Sequence, residues 1–210
     1  LPDDVDAAVR SVCAGVDAVA LDVECVRGTP VLVQLASKHG IALCRMSAWN
    51  GNCPGALQEL LTGKDVAKVG ANILGDAALL QTAFDLEVRN CRELSLMAKA
   101  IDRGAWCASS ADPAADIALS KLCAAYLHSD LDKTLTTSDW TADPLSAEQI
   151  RYAASDVAVV RDVAGLLMRH PSSCSVDANL YSWRLYQGKR YRNDTERGAG
   201  RWKVQSLAPR

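Results

Sequence analysis

The stretch "ALDVECVRGTPVLVQLAS", residues 20–37, limits what this chain can fold into. Two runs of apolar and β-branched residues flank a turn with Gly28 and Pro30, which predicts a β-hairpin. The first run carries two acids, Asp22 and Glu24, two residues apart. Because side chains alternate along a strand, both carboxylates point to the same face. Unpaired buried charges are costly, so the pair lies at a wet sheet edge or beside a positive group.

The order of the elements predicts an α/β fold. A third strand, "IALCRM", follows the hairpin after a short loop, so the chain should open with three antiparallel strands. A further buried strand, "VAKVG", is expected among helices at "PGALQELLTG", "GDAALLQTAF", "CRELSLMAKAI" and "IALSKLCAAYL". The expected architecture is a mixed central sheet flanked by helices.

The last predicted helix has the clearest start signal in the chain. Ser146 and Gln149 fit a capping box, and the helix should run from there to about Arg169. Tyr152 and Asp156 within it are four residues apart, so they share a helix face. The helix therefore presents a phenol and a carboxylate side by side.

Charge is unevenly distributed along the 210 residues, of which 49% are hydrophobic. Between positions 184 and 210 there are eight Lys/Arg and two Asp/Glu; from totals of 23 and 25, positions 1–183 keep 15 basic and 23 acidic residues. The size and apolar content suit one compact domain with an extension. An acidic body with a basic tail fits a nucleic-acid or anionic partner, and a merely solvated terminus is the alternative.

Cysteine and histidine usage excludes several classes of site. None of the eight cysteines forms a CxxC pair, which indicates reduced, buried thiols of an intracellular protein rather than a disulfide framework or zinc site. The three histidines are isolated from one another, which argues against a histidine metal site or a Ser-His-Asp triad. The apolar runs are far below the ~20 residues that span a bilayer, and no apolar leader opens the chain. We expect no membrane partner; the compartment stays open.

Acidic residues occur within or next to apolar segments at three places in the sequence. Besides the hairpin pair, Asp76 follows a buried strand in "KVGANILGDAALL", and Asp156 lies beside Tyr152 in "YAASD". Each alone has an ordinary explanation, such as a surface acid or an acid that favours a helix N-terminus. If the four carboxylates converge, they would need hard divalent cations, which prefer oxygen ligands. Two such ions about 4 Å apart can activate water and stabilise both oxygens of a reacting phosphodiester.

In chain order, these motifs resemble the DEDDy branch of the 3′–5′ exonucleases, which contains ribonuclease D and the exonuclease domain of the Werner syndrome protein. The matching stretches are "ALDVE", "VLVQLAS", "KVGANILGDAALL" and "LDKTLTTSDWTADPLSAEQIRYAASD". The resemblance covers roughly residues 5 to 170. It implies a ribonuclease H-like fold, an exonuclease domain over 1–170, and a separate basic, aromatic-containing extension over 171–210.

The resemblance also implies roles for individual residues. Asp22, Glu24, Asp76 and Asp156 would bind two Mg²⁺ or Mn²⁺ ions, and Tyr152 would orient the attacking water. We expect further substrate contacts from a second set of residues. These are Val23, Asn72, Leu74, Lys133 and Trp140.

Several of these substrate contacts have a structural alternative. Asn72 and Leu74 could instead belong to the core, and Lys133 could simply be solvated. Trp140 could stack on a base or form a lid over the core. The extension has the same ambiguity: its aromatics could bind single-stranded nucleic acid or a protein partner, or could dock on the domain. They are Trp183, Tyr186, Tyr191 and Trp202.

The expected function is a metal-dependent 3′–5′ exonuclease that releases nucleoside 5′-monophosphates from single-stranded RNA or DNA 3′ ends, with RNA favoured over DNA. The alternative is a non-catalytic RNA-binding or scaffold module on the same fold. Metal discriminates between them, because a scaffold should bind nucleic acid equally well after chelation.

Overall fold

The computed structural model describes residues 2–49, 51–107 and 116–170. Five strands form one sheet, which is mixed, as predicted. In chain order they are β1 (Ala18–Val26), β2 (Thr29–Ser37), β3 (Gly40–Arg45), β4 (Ala67–Gly70) and β5 (Cys91–Glu93). Their spatial order is β3-β2-β1-β4-β5; the first three strands are antiparallel, and β4 and β5 run parallel to β1.

Seven helices and a 3₁₀ turn, Met46–Ala48, flank this sheet in the described ranges. The helices are α1 (Pro2–Cys13), α2 (Gly55–Thr62), α3 (Ile73–Phe84), α4 (Leu94–Ile101), α5 (Arg103–Cys107), α6 (Leu119–Leu127) and α7 (Ala147–Met168). Apolar side chains of α1, α2 and α3 pack on one face of the sheet, and those of α4, α6 and α7 pack on the other.

The predicted hairpin forms, and its alternation decides where the acids point. Leu21 and Val23 face the core under α1, α2 and α3, whereas Ala20 faces the helices on the opposite side. Asp22 and Glu24 share the face of Ala20 because of the two-residue period. Both acids therefore point toward the side of the sheet that α7 covers.

One element differs from the sequence prediction. We expected "CRELSLMAKAI" to be entirely helical, but its first three residues form β5 at the sheet edge. Lys68 pairs with Cys91 and Gly70 pairs with Glu93, so β4 supplies the backbone partners. Three residues are too few to show a period, and the tertiary pairing with β4 overrides the local helical pattern.

The capping box of α7 forms as predicted. Ser146 Oγ accepts from Gln149 N at 3.2 Å, and Gln149 Oε1 accepts from Ser146 N at 2.8 Å. The Gln149 amide also donates to Ser138 Oγ at 2.9 Å and to the Asp139 carbonyl at 2.8 Å. The cap thus ties the start of α7 to the preceding loop and fixes the turns that carry the predicted site residues.

A buried lysine ties β4 to the end of α2. Lys68 is fully buried, and its ammonium donates to the carbonyls of Leu60, Gly63 and Val66 at 2.9, 2.7 and 3.0 Å. Burial lowers the pKa of this lysine to about 8. Its three N–H donors match three acceptors, which makes this a closed structural tie.

The seven described cysteines are free thiols. Cys44, Cys91 and Cys123 are buried, as expected, whereas Cys25 is exposed. No helix in the described part of the chain is both long and apolar enough to cross a membrane. The extension 171–210 lies outside the described residues, so its role and any protein partner that it binds stay predictions.

Candidate active site

Three of the predicted acids meet where β1 faces α7. Asp22 and Glu24 come from β1 and Asp156 from the third turn of α7, and each offers an oxygen within 4.8 Å of the others. Asp156 is buried, and the two strand acids are half-buried. We call Asp22, Glu24, Asp156 and the adjoining Asp76 the acid cluster.

Asp76 adjoins this trio but lies outside the 4.8 Å set. It belongs to the first turn of α3 and is 8% exposed. Burial, followed by the charges of Asp22 and Glu93, raises the pKa of Asp76 well above its ordinary value. Its Oδ2 is buried and has no hydrogen-bond partner among the described residues.

The pKa values of the other three carboxylates in the acid cluster are also raised. Burial and the charge of Asp156 raise the pKa of Asp22 to about 6. Burial and the charge of Asp22 raise the pKa of Glu24 to about 7, despite a 3.2 Å hydrogen bond from the Gln34 amide. Burial likewise raises the pKa of Asp156. The cluster is short of positive charge.

Lys133 supplies a single compensating cation. Its ammonium lies 3.2 Å from Oδ2 of Asp156 and 6.0 Å from the centre of the Tyr152 ring. Within the described ranges this is the one ion pair that the acid cluster makes. The lysine side chain is 44% exposed, so it is free to change rotamer. Lys133, predicted to contact substrate, thus neutralises part of the negative charge of the acid cluster.

Tyr152 is held in place by a residue that the sequence did not single out. Its hydroxyl lies 2.7 Å from Thr136 Oγ1, which in turn donates to the Lys133 carbonyl at 3.0 Å. Either hydroxyl can donate in the bond between them, so Thr136 holds the phenol oxygen in place whichever of the two supplies the proton. Burial raises the pKa of Tyr152 to about 12, so the phenol stays protonated at neutral pH.

Two predicted substrate contacts have buried side chains. Trp140 is 2% exposed and packs against Tyr152, with ring centroids 5.8 Å apart, and against Leu32. It therefore takes the position of a lid over the core and leaves no ring face for a base. Val23 is 8% exposed and lies in the core opposite the acids, because neighbouring strand residues alternate in direction. Its side chain does not reach the acid face.

Asn72 and Leu74 lie at the start of α3, next to Asp76. Asn72 is exposed and adopts a left-handed backbone with φ 59°, whereas Leu74 is half-buried against the core. A Cβ on Gly75 would come within 2.5 Å of the Asn72 amide, so the glycine leaves room for that side chain. This placement agrees with the predicted substrate contacts but does not test them.

A second glycine lets the strands approach below the cluster. A Cβ on Gly70, the last residue of β4, would meet the Leu21 carbonyl oxygen at 2.9 Å and Ile73 Cδ1 at 2.8 Å. Leu21 immediately precedes Asp22, and Ile73 begins the helix that carries Asp76. The close contact at Gly70 therefore sets the distance between the two elements.

Sequence reasoning also missed a buried acid, Glu93, at the end of β5. It is 4% exposed and accepts from the backbone amides of Ile73 at 2.9 Å and Ser95 at 3.2 Å. Its location inside a predicted helix concealed it. The available signal was an acid directly before the apolar run "LSLMAKAI", as at a helix N-cap.

The acid cluster fits divalent cations. Oδ2 of Asp76 and Oδ1 of Asp156 are buried, and neither has a hydrogen-bond partner in the described part of the chain. Buried polar atoms normally find partners, so two unpartnered carboxylate oxygens in one cluster are compatible with cation binding there. Carboxylate oxygens are the donors that Mg²⁺ and Mn²⁺ prefer, and a cation would offset the burial and the mutual repulsion that raise the pKa values.

Comparison with known proteins gives a family. The sequence model of the 3′–5′ exonuclease family matches residues 3–170. The human "Exonuclease 3′-5′ domain-containing protein 2" is 27% identical over 168 residues, 75% of this chain and 26% of that protein. Ribonuclease D of Haemophilus influenzae is 29% identical over 145 residues, 67% of this chain and 33% of that protein. The chain thus spans about a quarter to a third of these relatives.

Solved structures share the fold. Ribonuclease D of Escherichia coli superposes with a TM-score of 0.70 at 23% identity, over 90% of this chain and 48% of that one. NrnC of Brucella melitensis, bound to pGG, gives 0.64 at 20% identity over 92% of both chains. The expected ribonuclease H-like fold is confirmed. With the family match over residues 3–170, the fold and the motif order lead to one conclusion: this chain belongs to the 3′–5′ exonuclease family and is related to ribonuclease D.

Proposed function

We propose that this domain is a metal-dependent 3′–5′ exonuclease that releases nucleoside 5′-monophosphates from single-stranded 3′ ends. The observation that carries the proposal is the convergence of Asp22, Glu24 and Asp156 within 4.8 Å. Asp76 adjoins them with a buried oxygen that lacks a partner among the described residues. A site built only for stability would not concentrate so much uncompensated negative charge.

The four acids of the cluster would hold two Mg²⁺ or Mn²⁺ ions. Such ions, when bound, supply a nucleophile at neutral pH and stabilise the entering and leaving oxygens of a phosphodiester. The protein's own part is to fix the ligands. Asp22 and Glu24 are held by the sheet, and Asp156 by the capped helix α7.

Tyr152 would orient the attacking water by a hydrogen bond. With a pKa of about 12, the phenol keeps its own proton at neutral pH and cannot take the proton of the water. We therefore assign Tyr152 the orientation of the water rather than proton removal. The 2.7 Å bond to Thr136 limits rotation of the phenol. Thr136 is thus part of how the chain positions this hydroxyl.

Lys133 would exchange partners as the site fills. Cations among the acids would weaken its attraction to Asp156, because the carboxylate charge would already be neutralised. The 44% exposed side chain could then place its ammonium on a substrate phosphate. Asn72 and Leu74, at the opening of α3, would contact the terminal nucleotide.

We propose RNA as the preferred polymer. Support comes from the matches to proteins named ribonuclease D, one at 29% and one at 23% identity. Recognition of the last nucleotides would rest on shape, the 2′-hydroxyl and stacking rather than on base sequence.

The test compares 5′-labelled single-stranded RNA and DNA of the same sequence, each with Mg²⁺, Mn²⁺ or a chelator. We expect a ladder of products that shorten from the 3′ end, and we expect RNA to be shortened faster than DNA. The ladder should be absent with chelator and in the Asp22→Asn variant. Asp162→Asn is the matched control, because it makes the same chemical change at an exposed position of α7. Binding without cleavage under every metal condition would refute the nuclease and leave a nucleic-acid-binding module.

A further inference from the structure

Glu93 connects the starts of two helices. The residue ends β5, and its carboxylate is almost completely buried. Oε2 accepts from the backbone amide of Ile73, the first residue of α3, at 2.9 Å. Oε1 accepts from the amide of Ser95, in the first turn of α4, at 3.2 Å. One side chain therefore caps its own helix and a second one.

Helix α3 depends on this distant cap. Its own N-cap residue, Asn72, makes no side-chain capping hydrogen bond within the described residues and has a left-handed backbone. Glu93 takes over that task from the neighbouring strand. A negative charge near a helix N-terminus is also favoured by the helix dipole, which offsets part of the cost of burying the carboxylate.

The capped turn is the one that carries Asp76. Ile73 and Asp76 are three residues apart, so the hydrogen bond from Ile73 fixes the turn from which the Asp76 carboxylate projects. On the other side, Ser95 Oγ accepts from the Ile117 amide at 2.8 Å and donates to its carbonyl at 3.2 Å. Glu93 thus lies in the middle of a series of hydrogen bonds that runs from Ile117 to Ile73, at the start of the helix that carries Asp76.

We propose that Glu93 is a positioning residue for Asp76, which by anchoring the start of α3 to β5 sets the distance between Asp76 and the other acids of the cluster. The inference rests on the proposed metal site. It assigns Glu93 no direct contact with metal or substrate. A carboxylate is required because both of its oxygens accept; an amide has one acceptor and would turn an N–H₂ group toward a backbone N–H.

The experiment uses the full 210-residue chain as wild type, Glu93→Gln, Glu93→Asp and Glu87→Gln. Glu87 is a matched control: it lies in the loop before β5 and pairs with Arg89 on the surface. Calorimetry measures Mn²⁺ binding without nucleic acid, and cleavage assays measure KM and the Mg²⁺ concentration for half-maximal rate. Thermal melts establish that each variant is folded at the assay temperature.

We expect Glu93→Gln to bind Mn²⁺ about 10–100-fold more weakly, the usual range when a residue that orients a metal ligand is lost. The Mg²⁺ requirement should rise in parallel, with KM for nucleic acid unchanged. Glu87→Gln should match wild type. Glu93→Asp keeps both acceptors on a shorter side chain, so it should lie between wild type and Glu93→Gln, and it serves as the test if Glu93→Gln does not fold.

The outcomes separate this inference from the proposed function. Variants of Glu93 that melt earlier but keep the Mn²⁺ affinity and Mg²⁺ requirement of wild type would show a purely structural role and overturn the inference alone. Wild type that binds Mn²⁺ without cleaving, together with weaker binding by Glu93→Gln, would support the inference and refute the nuclease. Wild type that binds no Mn²⁺ would overturn both.

Discussion

Lys68 and the acid cluster are both buried charge, but the protein treats them in opposite ways. Lys68 lies near the start of β4 and gives each of its three donors to a backbone carbonyl. The acids lie beyond the end of β4, and two of their oxygens have no partner in the part of the chain that the structure describes. Lys133, their one cation in the described ranges, is 44% exposed.

The difference separates a structural charge from a functional one. Burying an ion is tolerable when every polar group is satisfied, and costly when groups are left unpaired. Lys68 meets that condition with backbone groups alone, so nothing further needs to bind. Asp76 and Asp156 do not meet it, which is the physical reason for assigning the cluster a ligand rather than a role in stability.

The largest expected effect is a loss of rate in Asp76→Asn. It tests whether Asp76 acts together with Asp22, Glu24 and Asp156, although it lies outside the set of oxygens within 4.8 Å. Asp76→Asn should lower kcat by about 10²–10³-fold, because it weakens the hold on cations that would stabilise the transition state by several kcal/mol. The fold should be retained, since the amide is the same size as the carboxylate. Single-turnover cleavage of labelled RNA measures the loss, and a rate within a factor of two of wild type would remove Asp76 from the site.

The next effect concerns the neutral group beside the acids. Tyr152→Phe should lower kcat by about 10²-fold, because a small misplacement of a reacting group can cost that much. Mn²⁺ affinity should be unchanged, because the phenol is not an expected ligand. Tyr126→Phe is the control: its hydroxyl accepts from the Trp106 indole, between α5 and α6. Equal losses in both variants would mean that the effect is general loosening.

Substitution of Lys68 should lower the stability of the protein and leave the rate of cleavage unchanged. Lys68→Met removes the donor for three carbonyls, so the free energy of unfolding should fall by about 2–3 kcal/mol. Urea denaturation measures this change, and cleavage at 25 °C should proceed at the wild-type rate. A loss of activity in a fully folded Lys68→Met protein would abolish the distinction drawn between the two buried charges.

The smallest effect is a gain in stability on removing one acid. The folded pKa of Asp22, about 6, is above its ordinary value, so the folded state holds this proton more tightly than the unfolded chain. Stability from this group is therefore complete at low pH and declines as pH rises through about 4 to 6. Asp22→Asn should melt about 2–4 °C higher than wild type near pH 7.5, equivalent to ~1 kcal/mol.

The same variant should melt at the wild-type temperature near pH 4.5, where Asp22 is already largely protonated in the folded protein. Saturating Mg²⁺ should reverse the order at pH 7.5, because it stabilises wild type by binding to the folded state alone. Scanning calorimetry with and without Mg²⁺ checks both expectations. A variant less stable than wild type at pH 7.5 without metal would contradict the raised pKa of Asp22 and its origin in burial and repulsion.

Much of this arrangement was predictable from local sequence. Alternation put Asp22 and Glu24 on one face, the Ser146 capping box fixed the start of α7, and the four-residue spacing put Tyr152 and Asp156 together. These features depend on a few neighbouring residues each. Helix and strand periods are enough to place them.

Features that depend on distant partners were missed. β5 exists because β4 offers it a backbone ladder, and that pairing leaves no period in three residues. Glu93 and Thr136 gain their roles from Ile73 and Tyr152, which lie 20 and 16 positions away. The burial of Trp140 likewise follows from packing against Tyr152, so its sequence neighbours did not reveal which of its two readings holds.

The close contact at Gly70 predicts the result of a saturation-mutagenesis screen at that position. Every side chain there collides with the Leu21 carbonyl and with Ile73, and so displaces the supports of Asp22 and Asp76 together. Position 70 should therefore score as intolerant as the acids themselves, although it has no side chain to offer. A map of intolerant positions would therefore include the residues that act on the substrate and also Gly70, where the packed backbone leaves no space for a side chain.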